Sequence, residues 1–295
     1  MPWLQLHVTT DRETAPLAEH LLGQLGALSI TLGDAADEPL LEPAPGESPL
    51  WRHTRVTGLF PGDRDVERLC QALRQKMPVD APWELQPEHL ADRVWERAWL
   101  DDFRPMRFGE RLWVCPDGRT PGDRDAVVVE LDPGLAFGTG THPTTALCLR
   151  WLDAEPLAGR QLLDFGCGSG ILSLAALKLG AAGVTAVDHD PQALEATRDN
   201  ATRNRVAERL QVCDSGNLPQ RRFDLIVANI LAGTLTTLEP VIAGHLRPGG
   251  RLALSGILQT QAAAVSDAYG AHFRMEPPLV LDDWVLLPGQ RRAAD

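Results

Sequence analysis

Between Pro143 and Ile257 short apolar runs alternate with segments of helical length, and no other feature constrains the fold as strongly. The runs VTAV, LIV and LAL lack a polar face at period two, which marks strands covered on both sides, as in a parallel sheet. Helical patterns at 143–152, 170–180, 191–203 and 231–246 separate them. Pro143 and Pro191 stand at first-turn positions, where a missing amide hydrogen loses no helical bond. The order predicts a doubly wound, mostly parallel α/β sheet over residues 126–295, closed by an antiparallel pair drawn from HFRMEPP and DWVLLPG.

Residues 1–88 read differently. Strand LQLHV, helix 12–25, strands ALSITL and HTRVTGLF, helix 63–74 and a short strand 83–86 give the split βαβ order of a small α+β, ferredoxin-like domain. The acidic, proline-rich DAADEPLLEPAPGESP is an exposed excursion between its second and third strands. Residues 89–125 form a connecting segment, with a short helix in ADRVWERAWLDDF. Trp95, Trp99, Phe103, Phe108 and Trp113 are expected to pack that connection rather than bind a ligand.

DFGCGSG, Asp164 to Gly170, joins a strand to a helix, and Asp188 ends the next strand 22 residues after Gly166. Such a turn requires tight backbone geometry, lets a ligand approach the main chain and is expected to present free helix amides. An acid at the position of Asp188 can accept the hydroxyls of a ribose. A dinucleotide site favours G-x-G-x-x-G, whereas Gly166, Gly168 and Gly170 alternate and follow a carboxylate. Asp164 suits an ammonium group, directly or through water, so S-adenosylmethionine is favoured over a dinucleotide; a purely structural glycine turn is the bland alternative. Asp214, in CDSGN, meets the adenine or caps a turn. Asn229 leaves the apolar strand DLIVA at the ligand edge of the sheet, where its carboxamide can accept from an amine; capping the next helix is the alternative.

Before this region lies LDPGLAFGTGTHPTT, Leu131 to Thr145, with three glycines, two prolines and four threonines. It reads as a loop that covers a bound cofactor, or as a plain spacer, anchored by the helix that Pro143 starts.

Charge and composition narrow the function. With 28 basic and 40 acidic residues the net charge is −12, which disfavours a nucleic-acid substrate and favours a basic protein partner. The five cysteines form no Cys-x-x-Cys pair and the histidines no H-x-x-x-H pair, so free thiols in a reducing compartment and no metal are expected. No apolar run approaches a membrane span and MPWLQLHVTTDRE does not resemble a signal peptide, so a monomeric, cytoplasmic protein without membrane association is expected.

DFGCGSG, DHDP and VANIL, read with the long loop, resemble the seven-stranded adenosylmethionine-dependent methyltransferases. With FRPMRFGERLWVCP, VANILAGTL, LSGILQTQ and DDWVLLPG the chain more narrowly resembles the bacterial PrmA family, which methylates protein eleven of the large ribosomal subunit. The resemblance implies an N-terminal domain that recognises the ribosomal protein and a C-terminal domain that methylates lysine side-chain amines and an N-terminal α-amine. It implies that Phe137 and Thr141 border the cofactor, that Gly166 and Gly168 underlie its methionine part, and that Asp188 holds the ribose. Asn229 would stand between cofactor and acceptor amine as the catalytic residue. Asn229, Ile230, Leu231 and Ala232 replace the Asn-Pro-Pro-Tyr of many amine methyltransferases, which removes the aromatic face that stacks planar amines. Another protein or a small amine as substrate, and an adenosylmethionine-binding protein without transfer activity, are the competing readings. His142 is a base candidate, though its place before Pro143 equally suits a helix entry.

Overall fold

The computed structural model describes residues 3–36, 50–90, 104–115, 122–123, 125–131 and 140–293. The chain divides into two compact units, Met1–Ala98 and Trp99–Asp295.

The first unit runs β1 (Trp3–Asp11), α1 (Ala15–Gln24), β2 (Ser29–Asp34), β3 (His53–Pro61), α2 (Val66–Lys76) and β4 (Trp83–Leu90). Its antiparallel sheet has the order β2-β3-β1-β4. Alternation along β1 buries Leu4, Leu6 and Val8, and these pack with Val56 and Phe60 of β3 against Leu21, Leu22, Leu69 and Leu73 of the helices. Two helix starts are corrected by side-chain bonds. Asp11 Oδ1 accepts the Thr14 amide at 2.8 Å and holds 12–14 in a turn, so α1 begins at Ala15 rather than Arg12. Asp65 caps α2 through the Arg68 amide at 3.0 Å, so that helix begins at Val66 rather than Asp63. Most of the acidic excursion (37–49), the expected connecting helix (91–103) and, with it, Trp95, Trp99 and Phe103 lie outside the described residues.

The second unit opens with a small sheet of β5 (Met106–Phe108), β6 (Leu112–Cys115) and β7 (Val127–Glu130). Phe108 is buried in the main core, and Trp113 is half-buried with the Arg107 guanidinium 6.0 Å from its ring. There follow α3 (Pro143–Ala154), β8 (Gln161–Phe165), α4 (Ile171–Lys178), β9 (Gly183–Asp188), α5 (Pro191–Arg203), β10 (Leu210–Asp214) and β11 (Phe223–Asn229). The chain continues as α6 (Ala232–His245), β12 (Leu246–Leu258), α7 (Ala262–Tyr269), β13 (Phe273–Met275), β14 (Leu279–Leu281) and β15 (Trp284–Arg291).

These strands form one sheet of order β10-β9-β8-β11-β12-β15-β13, with β14 also paired to β15. The strands from β8 to β12 are parallel, and β15 runs antiparallel to β12. One apolar core lies around α3 and α4, including Leu162 and Val227, and the other around α6 and α7, including Leu163 and Ile226. Neighbours in sequence therefore face opposite layers, which is why the strands read as unbroken apolar runs. Strand order reverses between β8 and β11, and doubly wound sheets bind ligands outside the carboxyl ends of the strands at that reversal. No described helix is long and apolar enough to cross a membrane.

Candidate active site

A cavity of about 410 Å³ opens at this reversal, walled by Phe165 and Gly166 after β8, Val187 and Asp188 of β9, and Asn229 to Leu231 after β11. Its volume is that of a small-molecule site, and its walls are mostly apolar with a few polar groups.

The DFGCGSG turn is built as its glycines require. Gly166, Gly168 and Gly170 have φ of 81°, 53° and 81°, a region in which a Cβ is strained. The amides of the turn itself are used within the protein: Gly166 and Cys167 both donate to the Val187 carbonyl, at 2.8 and 3.0 Å, and Gly168 donates to Asp188 Oδ2 at 2.9 Å. The cause is register. Phe165 lies opposite Val187 in the parallel pair, so the chain leaving β8 crosses the end of β9 and is tied there. Gly166 lines the cavity, while Gly168 lies behind that wall and accepts from Thr197 Oγ1 at 3.0 Å.

Asp188 and Asp214 sit side by side at the ends of β9 and β10. Asp188 Oδ1 accepts the His189 and Asp190 amides at 2.8 and 3.1 Å, so with Gly168 three amides orient one carboxylate at the cavity wall. A carboxylate offers about four acceptor positions, which leaves room for a further hydroxyl donor. Asp214 is a turn cap: it accepts from the Gly216 amide at 2.9 Å and Asn217 Nδ2 at 2.6 Å, and the Asn217 bond holds its carboxyl below the usual range. Its neighbour Ser215, not Asp214 itself, lines the cavity.

Asn229 ends β11 at the cavity, half-buried, with Nδ2 donating to Thr145 Oγ1 of α3 at 3.2 Å. It does not cap α6, whose cap is Leu231 without a side-chain bond. No described residue donates to Asn229 Oδ1, so among the described residues this oxygen is an unused acceptor beside the cavity. Thr141 is exposed one residue from His142, which lines the cavity, and Phe137 lies outside the described residues.

The model of the family described as ribosomal protein L11 methyltransferase (PrmA) matches residues 2–292. The chain belongs to this family. It is 54% identical over 291 residues to the ribosomal protein L11 methyltransferase of Methylococcus capsulatus, covering 98% of this chain and 99% of that one. It is 52% identical over 294 residues to the Pseudomonas aeruginosa protein of that description, covering 99% and 100%. A crystal structure of ribosomal protein L11 methylase from Lactobacillus delbrueckii subsp. bulgaricus superimposes with a TM-score of 0.60 at 31% identity, covering 64% of this chain and 100% of that one. The chain is thus an S-adenosylmethionine-dependent protein methyltransferase with the Rossmann-like fold of its class.

In this PrmA-family site the donor set suits that cofactor: the oriented Asp188 carboxylate matches ribose hydroxyls and the apolar walls match a purine face. The glycines serve the protein as well. A Cβ on Gly166 would collide with the Ile230 side chain, and one on Gly256 (φ 82°) with the Ile230 backbone. Ile230 is therefore clasped by two glycines, which seats the residue after Asn229 at the strand reversal. Gly256→Ala has no flexible neighbour to displace, and we expect it to destabilise the fold by about 3 kcal/mol, read as a lower urea midpoint.

Asp164 is fully buried, with Oδ2 accepting the Ser173 amide at 3.0 Å and the Ser173 hydroxyl at 2.6 Å. Burial pushes its carboxyl up to about 7, the Ser173 bonds opposing the shift and Asp188 adding to it. Among the described residues Oδ1 is buried without a hydrogen bond, and Asp164 stands beneath the cofactor turn rather than in the cavity wall. An acid raised on folding binds its proton more tightly in the native state, so its stabilising effect is complete below about pH 4 and is lost as pH rises toward 7. Between those values wild-type unfolding free energy should fall relative to Asp164→Asn, with a slope approaching about 1.4 kcal/mol per pH unit. Urea titrations of both proteins across that interval check this; parallel pH curves would refute it.

His142 is the N-cap of α3: its Nδ1 accepts from the Thr144 amide at 3.3 Å, and its ring meets Trp284 edge-on at 4.9 Å between centroids. Burial lowers its pKa, and Nδ1 also lies 2.7 Å from Thr144 Oγ1. These contacts of Nδ1 with Thr144 favour the helix-entry reading over the base.

Thr145, Gly256 and Trp284 belong to the site but were not singled out as site residues by the sequence. Thr145 ends the loop segment 131–145 without a signal separating it from Thr141, and Trp284 stands far away in the chain.

Proposed function

We propose that this enzyme transfers methyl groups from S-adenosylmethionine to lysine side-chain amines and the N-terminal α-amine of a basic protein of the large ribosomal subunit, in the cytoplasm. The observation that carries the reading is the unused Asn229 Oδ1, held at the cavity by Thr145 in a chain of this family. In the proposal Asp188 holds the ribose and Gly166 backs the methionine part. Ser215, beside Asp214, borders the adenine, and Asp164 supports the turn from beneath through Ser173. Thr141 borders the bound cofactor, and Asn229 receives the acceptor. The N-terminal unit recognises the ribosomal protein. Four fully buried or nearly buried thiols and one half-buried, all unpaired, agree with a reducing compartment.

The bound cofactor supplies an electrophilic methyl group on a sulfonium. The residues must present a neutral amine to it, although a lysine has a reference pKa near about 10.4. The apolar walls of Phe165, Val187 and Ile230 disfavour the ammonium form, and Asn229 Oδ1 accepts an N–H of the neutral amine so that its lone pair points at the methyl group. The displaced proton leaves to solvent.

The test is incubation of the enzyme with methyl-labelled cofactor and a ribosome-depleted extract, followed by mass spectrometry of the labelled protein. Label on lysines and the α-amine of one basic ribosomal protein is expected; label confined to small amines would overturn the reading.

A further inference from the structure

β15 carries β12 on one side and, on the other, β13 and β14 in tandem, broken by Glu276, Pro277 and Pro278. Proline has no amide hydrogen and guards a sheet edge, but β14 itself has neither proline nor charge. Leu279 and Val280 are 42% and 53% exposed, and among the described residues nothing pairs with the outer edge of β14. An open apolar edge invites another strand, and it lies at the cavity end of the sheet. Leu281 pairs with Trp284, which lines the cavity.

The turn between the two strands adds charge. Asp282 and Asp283 are exposed, and among the described residues their carboxylates have no hydrogen-bond or ionic partner. Their carbonyls are held by Gln259, through Nε2 to Asp282 at 2.7 Å and through the amide to Asp283 at 2.9 Å. Asp282 has φ 52°, so the turn is kept in a strained form while both carboxylates face solvent next to Trp284.

We propose that the free edge of β14 and its Asp282–Asp283 turn dock an extended, cationic segment of the protein substrate as an added strand, delivering its amine past Trp284 to Asn229. This rests on the functional reading above. Two features select that occupant: the carboxylates complement a basic chain, and the strand ends at Leu281, paired with the Trp284 that lines the cavity which must receive its amine. Strand addition recognises main chain, with side-chain pockets adding selectivity, so one edge can serve amines with different flanking sequences.

The test is steady-state methylation of the purified ribosomal protein by wild type, Asp282→Asn/Asp283→Asn and Val280→Lys, with cofactor affinity measured in each. Asparagine tolerates the left-handed conformation of position 282. Loss of two exposed charges should raise KM for the protein about ten-fold at low salt, the difference shrinking at high salt, with kcat and cofactor affinity kept. Val280→Lys places a cation on the edge and should raise KM several-fold as well. Unaltered KM in both variants, while wild type methylates the protein, would overturn the docking edge and leave the functional reading standing. No transfer by wild type would overturn that reading and the docking with it. Asp283→Asn alone, at the position with ordinary φ, gives the same sign should the double variant fold poorly.

Discussion

Asn229→Ala is expected to lower kcat by about 100-fold or more while cofactor affinity stays within about two-fold of wild type. The carboxamide is anchored on one side only, by Nδ2 donating to Thr145 Oγ1, so its carbonyl is the part available to a reacting amine. Alanine removes the acceptor that aligns the amine lone pair, and the loss falls on the chemical step because alignment matters most as the new bond forms. Since Asn229 caps no helix, the fold should tolerate the change. Single-turnover kinetics with saturating substrates, beside calorimetric cofactor titration, separate the two effects. A variant with normal turnover but weakened cofactor binding would place Asn229 with the cofactor alone.

Asp188→Ala should act on the other side of the reaction, weakening cofactor affinity by about 100-fold, since bonds from neutral donors to a carboxylate contribute about 1.5–3 kcal/mol each. Two losses combine. The ribose loses its acceptor, and the amides of Gly168, His189 and Asp190 lose the carboxylate that arranges the turn around it. Asp188→Asn should lie between the two, because its oxygen can retain part of this pattern while its charge is gone. Calorimetric titration with the cofactor or its demethylated product decides the matter. Wild-type affinity in Asp188→Ala would remove Asp188 from the ribose role.

Much of this fold is legible in the chain because its signals are local. Pro191 opens α5, and Ala186 and Ile226 sit in runs that no solvated strand tolerates. The boundaries that shift do so through side chains: Asp11 and Asp65 capture amides and delay their helices. β14 escapes sequence reading because three residues after two prolines look like a turn; only pairing with β15 makes them a strand.

Within the site, Asp188 and Asn229 are legible because a polar residue ending an apolar strand at the ligand edge of such a sheet has few structural uses. Gly256 is not, since a glycine within LSGIL carries no sign that Ile230 crosses above it. The same limit holds for the glycine turn. Spacing tells that its backbone bends, while the recipients of its amides, Val187 and Asp188, are set by the β8–β9 register.

The sequence by itself determined the α/β alternation, the ferredoxin-like order of the first unit, the cofactor class and the acids and amide at the strand ends, because periodicity and strand-end chemistry are written in neighbouring residues. Tertiary structure alone decided that Thr145 steadies Asn229, that the His142 ring packs against Trp284, and that Asp164 lies buried under the turn. The first two join residues far apart in the chain and the third depends on the layers that cover the turn, so they exist only once strand order and register have brought the segments together.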